Sequence, residues 1–209
     1  MDISTLIRER RSIRKYQDRD VPREVIAKIL EDALWAPSAL NRQNWQIVAV
    51  RGEQKEKLVE AVAETNKYFK PRLEKLFSEK IVNVTLQFLR TLGGAPVLLL
   101  VYIPKLVAEI RPGMSSLERY HHEQGRLTSF LSAAALMQNI LLLATAEGLG
   151  TCWMTAPKIV EDEINEVLGI EGQELVSVIP MGYPDYPDQK PPAPPRKDNK
   201  VRWIGFEQK

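Results

Sequence analysis

The sequence contains few of the residues on which side-chain catalysis and metal binding depend. Its 209 residues include one cysteine, Cys152, and two histidines, the adjacent His121 and His122. A single cysteine excludes an intramolecular disulfide and is typical of proteins from a reducing cytoplasm. Cys152 lies among apolar residues and is interpreted as a buried thiol, and the histidines as a solvated pair. We therefore expect no metal site and no catalytic triad, so a cofactor has to supply any chemistry.

Several recognition motifs and any large charge excess are also absent. There is no P-loop, no GxGxxG after a strand, no zinc-ligand spacing and no Gly-x-Ser-x-Gly turn. The chain has 29 basic and 27 acidic residues and a formal net charge of +2, whereas nucleic-acid-binding proteins usually carry a larger basic excess. These absences argue against a nucleotide-driven motor, a zinc protein, a serine hydrolase and a nucleic-acid-binding protein.

The sequence gives no sign of a membrane or secretory segment. Its beginning, MDISTLIRERR, lacks the charged-then-apolar order of a secretory signal. The longest apolar stretch, 127–150, is interrupted by several polar residues, which favours a helix buried in protein over a membrane span. We expect a cytoplasmic protein that does not enter a membrane.

Basic residues are concentrated near the start of the chain. The segment RERRSIRKY, residues 8–16, contains five cations, which could form a solvated face, a nucleic-acid contact or a clamp for one small anion. In a helix, Arg10 and Arg14 would share a face and Ser12 would point away. In an extended chain, Arg10, Ser12 and Arg14 all project to one side, where two guanidinium groups and a hydroxyl suit a phosphate.

The order of predicted elements indicates one α+β or mixed α/β domain over residues 1–209. Helices are predicted within 2–10, 21–36, 53–65, 119–147 and 157–169, and residues 66–92 are partly helical. Strands are predicted at 45–51, 96–103, 151–154 and 174–184, and residues 104–117 form a loop. Six prolines lie between Pro184 and Pro195, so 184–209 is predicted to be an extended C-terminal arm.

The long predicted helix suggests a second subunit. From 127 to 146 it is apolar almost all the way round, and such a helix must be enclosed on every side. In a chain of this size a second copy is an economical way to enclose it. We therefore expect a homodimer.

Three further segments carry polar groups at turns. APSALNRQNW, residues 36–45, contains Ser38, Asn41 and Gln43, and is either a polar helix-to-strand loop or a binding loop. GLGTCWMTAP, residues 148–157, is a glycine-bounded turn that leads into a strand and a helix. The third places Arg196 and Lys197 at the end of the proline-rich stretch.

Taken together, these motifs resemble the nitroreductase family of FMN-dependent oxidoreductases. RRSIRKY, APSALNRQNW, GLGTCWM and a late Arg-Lys pair after MGYP follow each other in the family's order along almost the whole chain. The resemblance implies a mixed, mostly antiparallel sheet wrapped by helices, in a homodimer that exchanges its C-terminal arms. It also implies two FMN sites at the subunit interface, with NADH or NADPH as electron donor. Hydride would pass by a ping-pong reaction to a small electron-poor acceptor, such as a nitroaromatic or a quinone.

The resemblance also assigns site residues, all to cofactor binding and none to side-chain catalysis. Arg10 and Ser12 would hold the FMN phosphate, Arg14 would lie near the ribityl chain and pyrimidine edge, and Arg11 would assist. Pro37, Ser38 and Ala39 would pack on the isoalloxazine from the opposite subunit, and Asn41 and Gln43 would add polar contacts. Met154, Thr155 and Ala156 would pass near flavin N5, where a backbone N–H can donate. Arg196, with Lys197, would reach the phosphate.

The resemblance leaves several points open. Family members often have a proline where this chain has Asn44, and residues 66–125, which normally shape the substrate pocket, carry no assignment. Other activities of the same family share these motifs: flavin cleavage to dimethylbenzimidazole, reductive dehalogenation and dehydrogenation of peptide heterocycles. A different class, a non-catalytic binder of nucleic acid or another anion, is the remaining alternative.

Overall fold

The core of the structure is a four-stranded sheet. The computed structural model describes residues 2–105, 113–186, 191–198 and 200–206. The strands are β1 (Gln46–Val50), β2 (Val97–Pro104), β3 (Gly150–Thr151) and β4 (Gln173–Gly182), and all their pairings are antiparallel in the order β1-β2-β4-β3. The two central strands are buried over almost their whole length. The continuous apolar sequence of β2 reflects cover on both faces of the sheet.

Seven helices surround the described part of the sheet. They are α1 (Ile3–Glu9), α2 (Arg23–Ala33), α3 (Glu53–Ala63), α4 (Thr65–Leu76), α5 (Glu79–Thr91), α6 (Ser116–Ala146) and α7 (Glu161–Leu168). Short 3-10 turns occupy Ala39–Asn41, Leu92–Gly94 and Ala156–Val160. The predicted helices and three of the four predicted strands are confirmed within a few residues, and the partly helical stretch 66–92 contains α4 and α5.

The sheet separates two hydrophobic cores, and β2 contributes to both. Its alternate side chains Val97, Leu99, Val101 and Ile103 pack with α2 and α6, whereas Leu98, Leu100 and Tyr102 pack with α3, α5 and α7. Successive side chains of a strand point to opposite faces, so one strand seals two layers. The result is the mixed α+β architecture that was predicted.

The predicted strand at 151–154 is only partly present. The Cys152 N–H donates to the Pro180 carbonyl at 3.3 Å, and Met154 forms a single bridge with Val178. Pro180 has no N–H to return to Cys152, so the ladder is interrupted between two pairs that would otherwise be continuous. The predicted helix at 157–169 likewise begins as a 3-10 turn before α7.

The segment after α1 extends the sheet on the side of β3. Ser12 forms a parallel bridge with Thr151, and the Ile13 N–H donates to the Thr151 carbonyl at 2.9 Å. The Ile13 side chain is buried against Gly150, where an added Cβ would come within 2.6 Å of it. The structure therefore adopts the extended of the two conformations considered for this segment.

Helix α6 is long and apolar enough to cross a membrane by length and composition alone. In the folded chain, however, 44% of its most apolar window is already buried, and it packs against β2 and α2. The packing supports a core helix, as predicted. It ends before Gly148, whose φ of 73° belongs to the left-handed region that glycine tolerates. The cytoplasmic location stays a prediction.

The described C-terminal residues run without a helix or strand. Residues 192–198 and 200–206 are exposed, including the apolar side chains Val201, Trp203, Ile204 and Phe206. This is consistent with the extended arm predicted for 184–209, of which 187–190, 199 and 207–209 lie outside the described residues. Most of the predicted loop at 104–117 also lies outside them.

Candidate functional site

The extended segment presents three polar side chains on one side, which we call the clamp: Arg10, Ser12 and Arg14. Arg10 and Ser12 are half-buried and Arg14 is exposed. Within the described residues the Arg10 guanidinium and the Ser12 hydroxyl have no hydrogen bond, and Arg14 makes one long contact of 3.5 Å to the Ser12 carbonyl. The Arg14 guanidinium lies 5.9 Å from the centre of the Phe88 ring on α5. Nearly all the hydrogen-bond donors of the clamp side chains therefore have no acceptor in the described structure.

The two arginines of the clamp act on the same buried thiol. Burial raises the pKa of Cys152, and the positive charges of Arg14 and Arg10 oppose that rise. Both cations of the clamp therefore lie close enough to Cys152 to influence the same group. The raised pKa keeps Cys152 in its neutral thiol form, which agrees with its interpretation as a structural residue.

Arg11 points away from the clamp. Its Nε donates to the Pro191 carbonyl at 3.1 Å, and another guanidinium nitrogen donates to the Arg8 and Arg10 carbonyls at 2.6 and 2.9 Å. These bonds join the beginning of the C-terminal arm to the N-terminal segment. The structure therefore does not bring Arg11 together with the clamp. In an extended backbone successive side chains point to opposite sides, so Arg11 points away from Arg10 and Ser12.

The predicted segment Met154–Ala156 follows directly behind β3. Met154 is buried, its N–H donates to the Val178 carbonyl at 3.1 Å, and its carbonyl accepts from Val178 N–H and Ser177 Oγ. In the described structure the N–H groups of Thr155 and Ala156 have no acceptor. Any backbone donor to a ligand at this position therefore belongs to Thr155 or Ala156 and not to Met154.

An ion-pair network around the buried Glu174 supports this segment from behind, and no sequence pattern predicted it. Glu174 on β4 accepts from Arg126 Nε at 3.0 Å and pairs with Lys158 at 2.8 Å. Burial alone would raise the pKa of Glu174, but its bonds to Arg126 and Lys158 outweigh burial and lower it. Lys158 also donates to Glu161 and to the Leu175 carbonyl, so the network fixes the turn after Ala156 on β4.

The second predicted group, Pro37–Gln43, forms a loop on α6. The Ala39 N–H donates to Ser132 Oγ at 3.3 Å, and Gln43 Nε2 donates to Asn41 Oδ1 at 3.0 Å. Most of this loop is exposed, as is the preceding Trp35, whose exposed fraction is 88%. We call residues 37–43 the approach loop.

Within one chain, the approach loop and the clamp lie far apart. The loop contacts α6 at Ser132, whereas Ile13, in the middle of the clamp segment, lines a cavity together with Thr145 near the end of α6. The helical rise between Ser132 and Thr145 amounts to about 20 Å. The sheet agrees, because the loop enters β1 at one edge and the clamp pairs beside β3 at the other.

The remaining predicted residues, Arg196 and Lys197, are exposed in the arm. In the described ranges neither side chain forms a hydrogen bond with the clamp. The sequence did not predict that Phe88 lies beneath Arg14. Its place on the apolar face of an amphipathic helix could have indicated that it is buried. The described residues contain no group of three or more His, Cys, Asp or Glu that could hold a metal ion.

Comparison with known proteins defines the class. A model of the nitroreductase family matches residues 7–183. YfhC of Bacillus subtilis, whose name assigns it provisionally as an NAD(P)H nitroreductase, is 31% identical over 182 residues, which cover 86% of this chain and 83% of YfhC. The described α+β fold and these matches define the class of the protein as a family of oxidoreductases. The chain belongs to the nitroreductase family, as its motifs predicted.

Solved structures give the same result for the fold. A BluB-like flavoprotein from Clostridium difficile 630 has a TM-score of 0.70 and 28% identity, covering 93% of this chain and 95% of that protein. The FMN- and NADPH-dependent nitroreductase NfnB from a Sphigopyxis strain has a TM-score of 0.73 and 22% identity, covering 99% and 100%. The similarity extends over the whole fold in both cases.

Proposed function

We propose that this protein is an FMN-dependent NAD(P)H oxidoreductase that reduces nitroaromatics, quinones or similar electron-poor acceptors. Membership of the nitroreductase family supports an oxidoreductase reaction. The names of its relatives support FMN as cofactor and NADH or NADPH as electron donor. The observation that carries the proposal is the clamp, because its half-buried guanidinium and hydroxyl donors have no protein partner in the described structure.

The chemistry of these donors fits FMN. A guanidinium group offers paired donors in the geometry of a phosphate, and a serine hydroxyl adds a neutral donor. Arg10 and Ser12 would hold the phosphate, with Arg196 and Lys197 of the arm as further cations. Arg14 would stand near the pyrimidine edge, where a cation stabilises the negative charge of a reduced ring. The N–H groups of Thr155 and Ala156, which have no acceptor among the described residues, would donate to the flavin near N5.

The role of the protein in the reaction is binding and orientation. When bound, FMN would supply the two-electron chemistry that links NADH or NADPH to a second substrate. Reduction of a nitro group to a nitroso group and water consumes two electrons and two protons, and reduction of a quinone to a hydroquinone consumes the same. Solvent can supply the proton that hydride does not carry, so we assign no general acid among the side chains.

We also propose that the functional unit is a homodimer with FMN at the interface. The points on α6 that the clamp segment and the approach loop adjoin are about 20 Å apart along the helix, so contributions from two different chains are a simple way for both groups to contact one ligand. Exposed apolar side chains support this: Leu127 and Leu131 lie on one face of α6, Trp35 precedes the approach loop, and Leu40 lies within it. The exposed apolar end of the arm gives each subunit a segment that can cross to the other.

The test uses the purified full-length chain. We expect a yellow protein with a bound-flavin spectrum and a dimer mass in solution by light scattering. Under anaerobic conditions NADH or NADPH should bleach the flavin, and a nitroaromatic or quinone should restore its colour. A colourless protein that shifts DNA and takes up no FMN would favour a non-catalytic binder. Flavin that neither nucleotide bleaches would exclude the reductase and direct the work to flavin cleavage, dehalogenation or heterocycle dehydrogenation.

A further inference from the structure

The approach loop has an unfavourable backbone conformation. Three of its residues, Leu40, Asn41 and Gln43, have φ values of 55°, 52° and 45°. The left-handed region costs a residue other than glycine about 1 kcal/mol or more, somewhat less for asparagine. Leu40 is 86% exposed, so burial of its own side chain in this chain does not offset the cost. Other contacts must hold the loop.

Two kinds of hydrogen bond hold it. Within the loop, Ser38 Oγ accepts from the Gln43 N–H at 3.0 Å. Toward α6, Ala39 N–H donates to Ser132 Oγ at 3.3 Å, and Asn44 Nδ2 donates to Ser129 Oγ at 2.8 Å. The bond from Asn44 is the shortest of the three and lies at the point where the loop enters β1.

The partner of Asn44 accepts a hydrogen bond and has no donor to spare. Ser129 is buried, with 4% of its surface exposed, and its hydroxyl already donates to the Gly125 carbonyl one turn earlier on α6 at 2.9 Å. Its lone pairs therefore face the loop, and they require a donor such as an amide N–H. A carboxylate or an aliphatic side chain at residue 44 would leave this buried oxygen without its partner.

Residue 44 also controls the backbone of its neighbour. A proline at this position would have no side-chain donor, and it would disfavour the left-handed conformation of Gln43, because a residue before proline is biased toward extended torsions. The bond from the Gln43 N–H to Ser38 Oγ depends on that conformation. Asn44 is compatible with both bonds at once.

We infer that Asn44 is a positioning residue: its bond to Ser129 fixes the left-handed approach loop on α6 and so sets the surface that the loop offers to flavin. The last part rests on the proposed function. The first part concerns the chain alone and is measurable without a cofactor.

The test compares hydrogen exchange of loop amides in the full-length protein, as purified and after flavin removal. Asn44→Ala and Ser129→Ala should each accelerate exchange of the Gln43 and Ala39 amides about fivefold or more, the effect of losing one hydrogen bond. Ser129→Thr keeps the hydroxyl and should preserve protection. Asn83→Ala, the same change at an exposed residue of α5, is the matched control and should leave the loop unchanged.

Further variants separate the two parts of the inference. The double variant Asn44→Ala with Ser129→Ala should exchange no faster than either single variant, and Asn44→Pro should lose protection at Gln43 and weaken FMN binding. Equal protection at Gln43 in wild type and Asn44→Ala would overturn the positioning role. Loss of protection in a protein that binds no FMN would uphold that role while the proposed function fails.

Discussion

Replacing Arg10 by alanine tests the clamp most directly. Arg10 is half-buried and without a protein hydrogen bond in the described structure, so a phosphate that pairs with it is partly shielded from water. A hydrogen bond to a charged group contributes roughly 1.5–3 kcal/mol, and the shielding favours the upper part of that range. A loss of about 2–3 kcal/mol corresponds to about 30- to 150-fold weaker FMN binding. Arg14 is exposed, and solvent screening should reduce the effect of its alanine variant to about fivefold.

The assay is titration of the flavin-free protein with FMN, followed by the change in flavin fluorescence. Two arginines serve as matched controls: Arg8, which is exposed, and Arg11, whose guanidinium is engaged by backbone carbonyls. Their alanine variants should bind FMN within about threefold of wild type. If Arg10→Ala retains FMN as tightly as Arg8→Ala does, the clamp is not the phosphate site. If Arg11→Ala shows the larger loss, the orientation of the segment is wrong.

Three further variants test the interface, the fit of the clamp segment and the buried network. Leu131→Glu places a carboxylate at a 60% exposed apolar position on α6, so light scattering should show a monomer that binds FMN poorly. Gly150→Val forces a Cβ against Ile13. We expect a loss of about 1–3 kcal/mol in urea unfolding and weaker FMN binding, whereas Ala49→Val, at an exposed position of β1, should change neither. Glu174→Gln removes a buried carboxylate whose pKa is lowered in the fold. The variant should be less stable than wild type at neutral pH. This difference should vanish as the pH falls through the lowered pKa, because the wild-type carboxylate then also becomes protonated. A difference in the free energy of unfolding that stays constant across the pH range would contradict this.

Much of the fold followed from local patterns in the sequence. The apolar stripe and proline signals predicted α2, and the long apolar run with a terminal glycine predicted α6 within a few residues. The buried strands β2 and β4 were equally clear. The interrupted strand after Thr151 was not, because its cause is Pro180 on another strand and the register between the two is a tertiary property.

The candidate site could be predicted only where a local feature, such as the alternation of side chains along an extended segment, determines which residues lie together. Alternation along an extended segment was enough to group Arg10, Ser12 and Arg14. It was also enough to suggest that Arg11 points elsewhere, but its actual partner, the Pro191 carbonyl, lies 180 residues away in sequence. The Glu174 network and the bond between Asn44 and Ser129 join distant segments in the same way. No periodicity in a single sequence encodes such pairs.

The distance between the clamp and the approach loop gives these separate features a common explanation. Because α6 is a continuous helix, the points on it that the clamp segment and the approach loop adjoin stay about 20 Å apart within one chain. In the proposed homodimer, a second copy against the exposed face of α6 would bring the loop of one chain toward the clamp of the other. The same arrangement would cover Trp35, Leu40 and Leu131, whose exposure is otherwise unexplained. Cofactor binding and dimer formation are then one event, so a variant that separates the subunits should lose FMN even with the clamp intact.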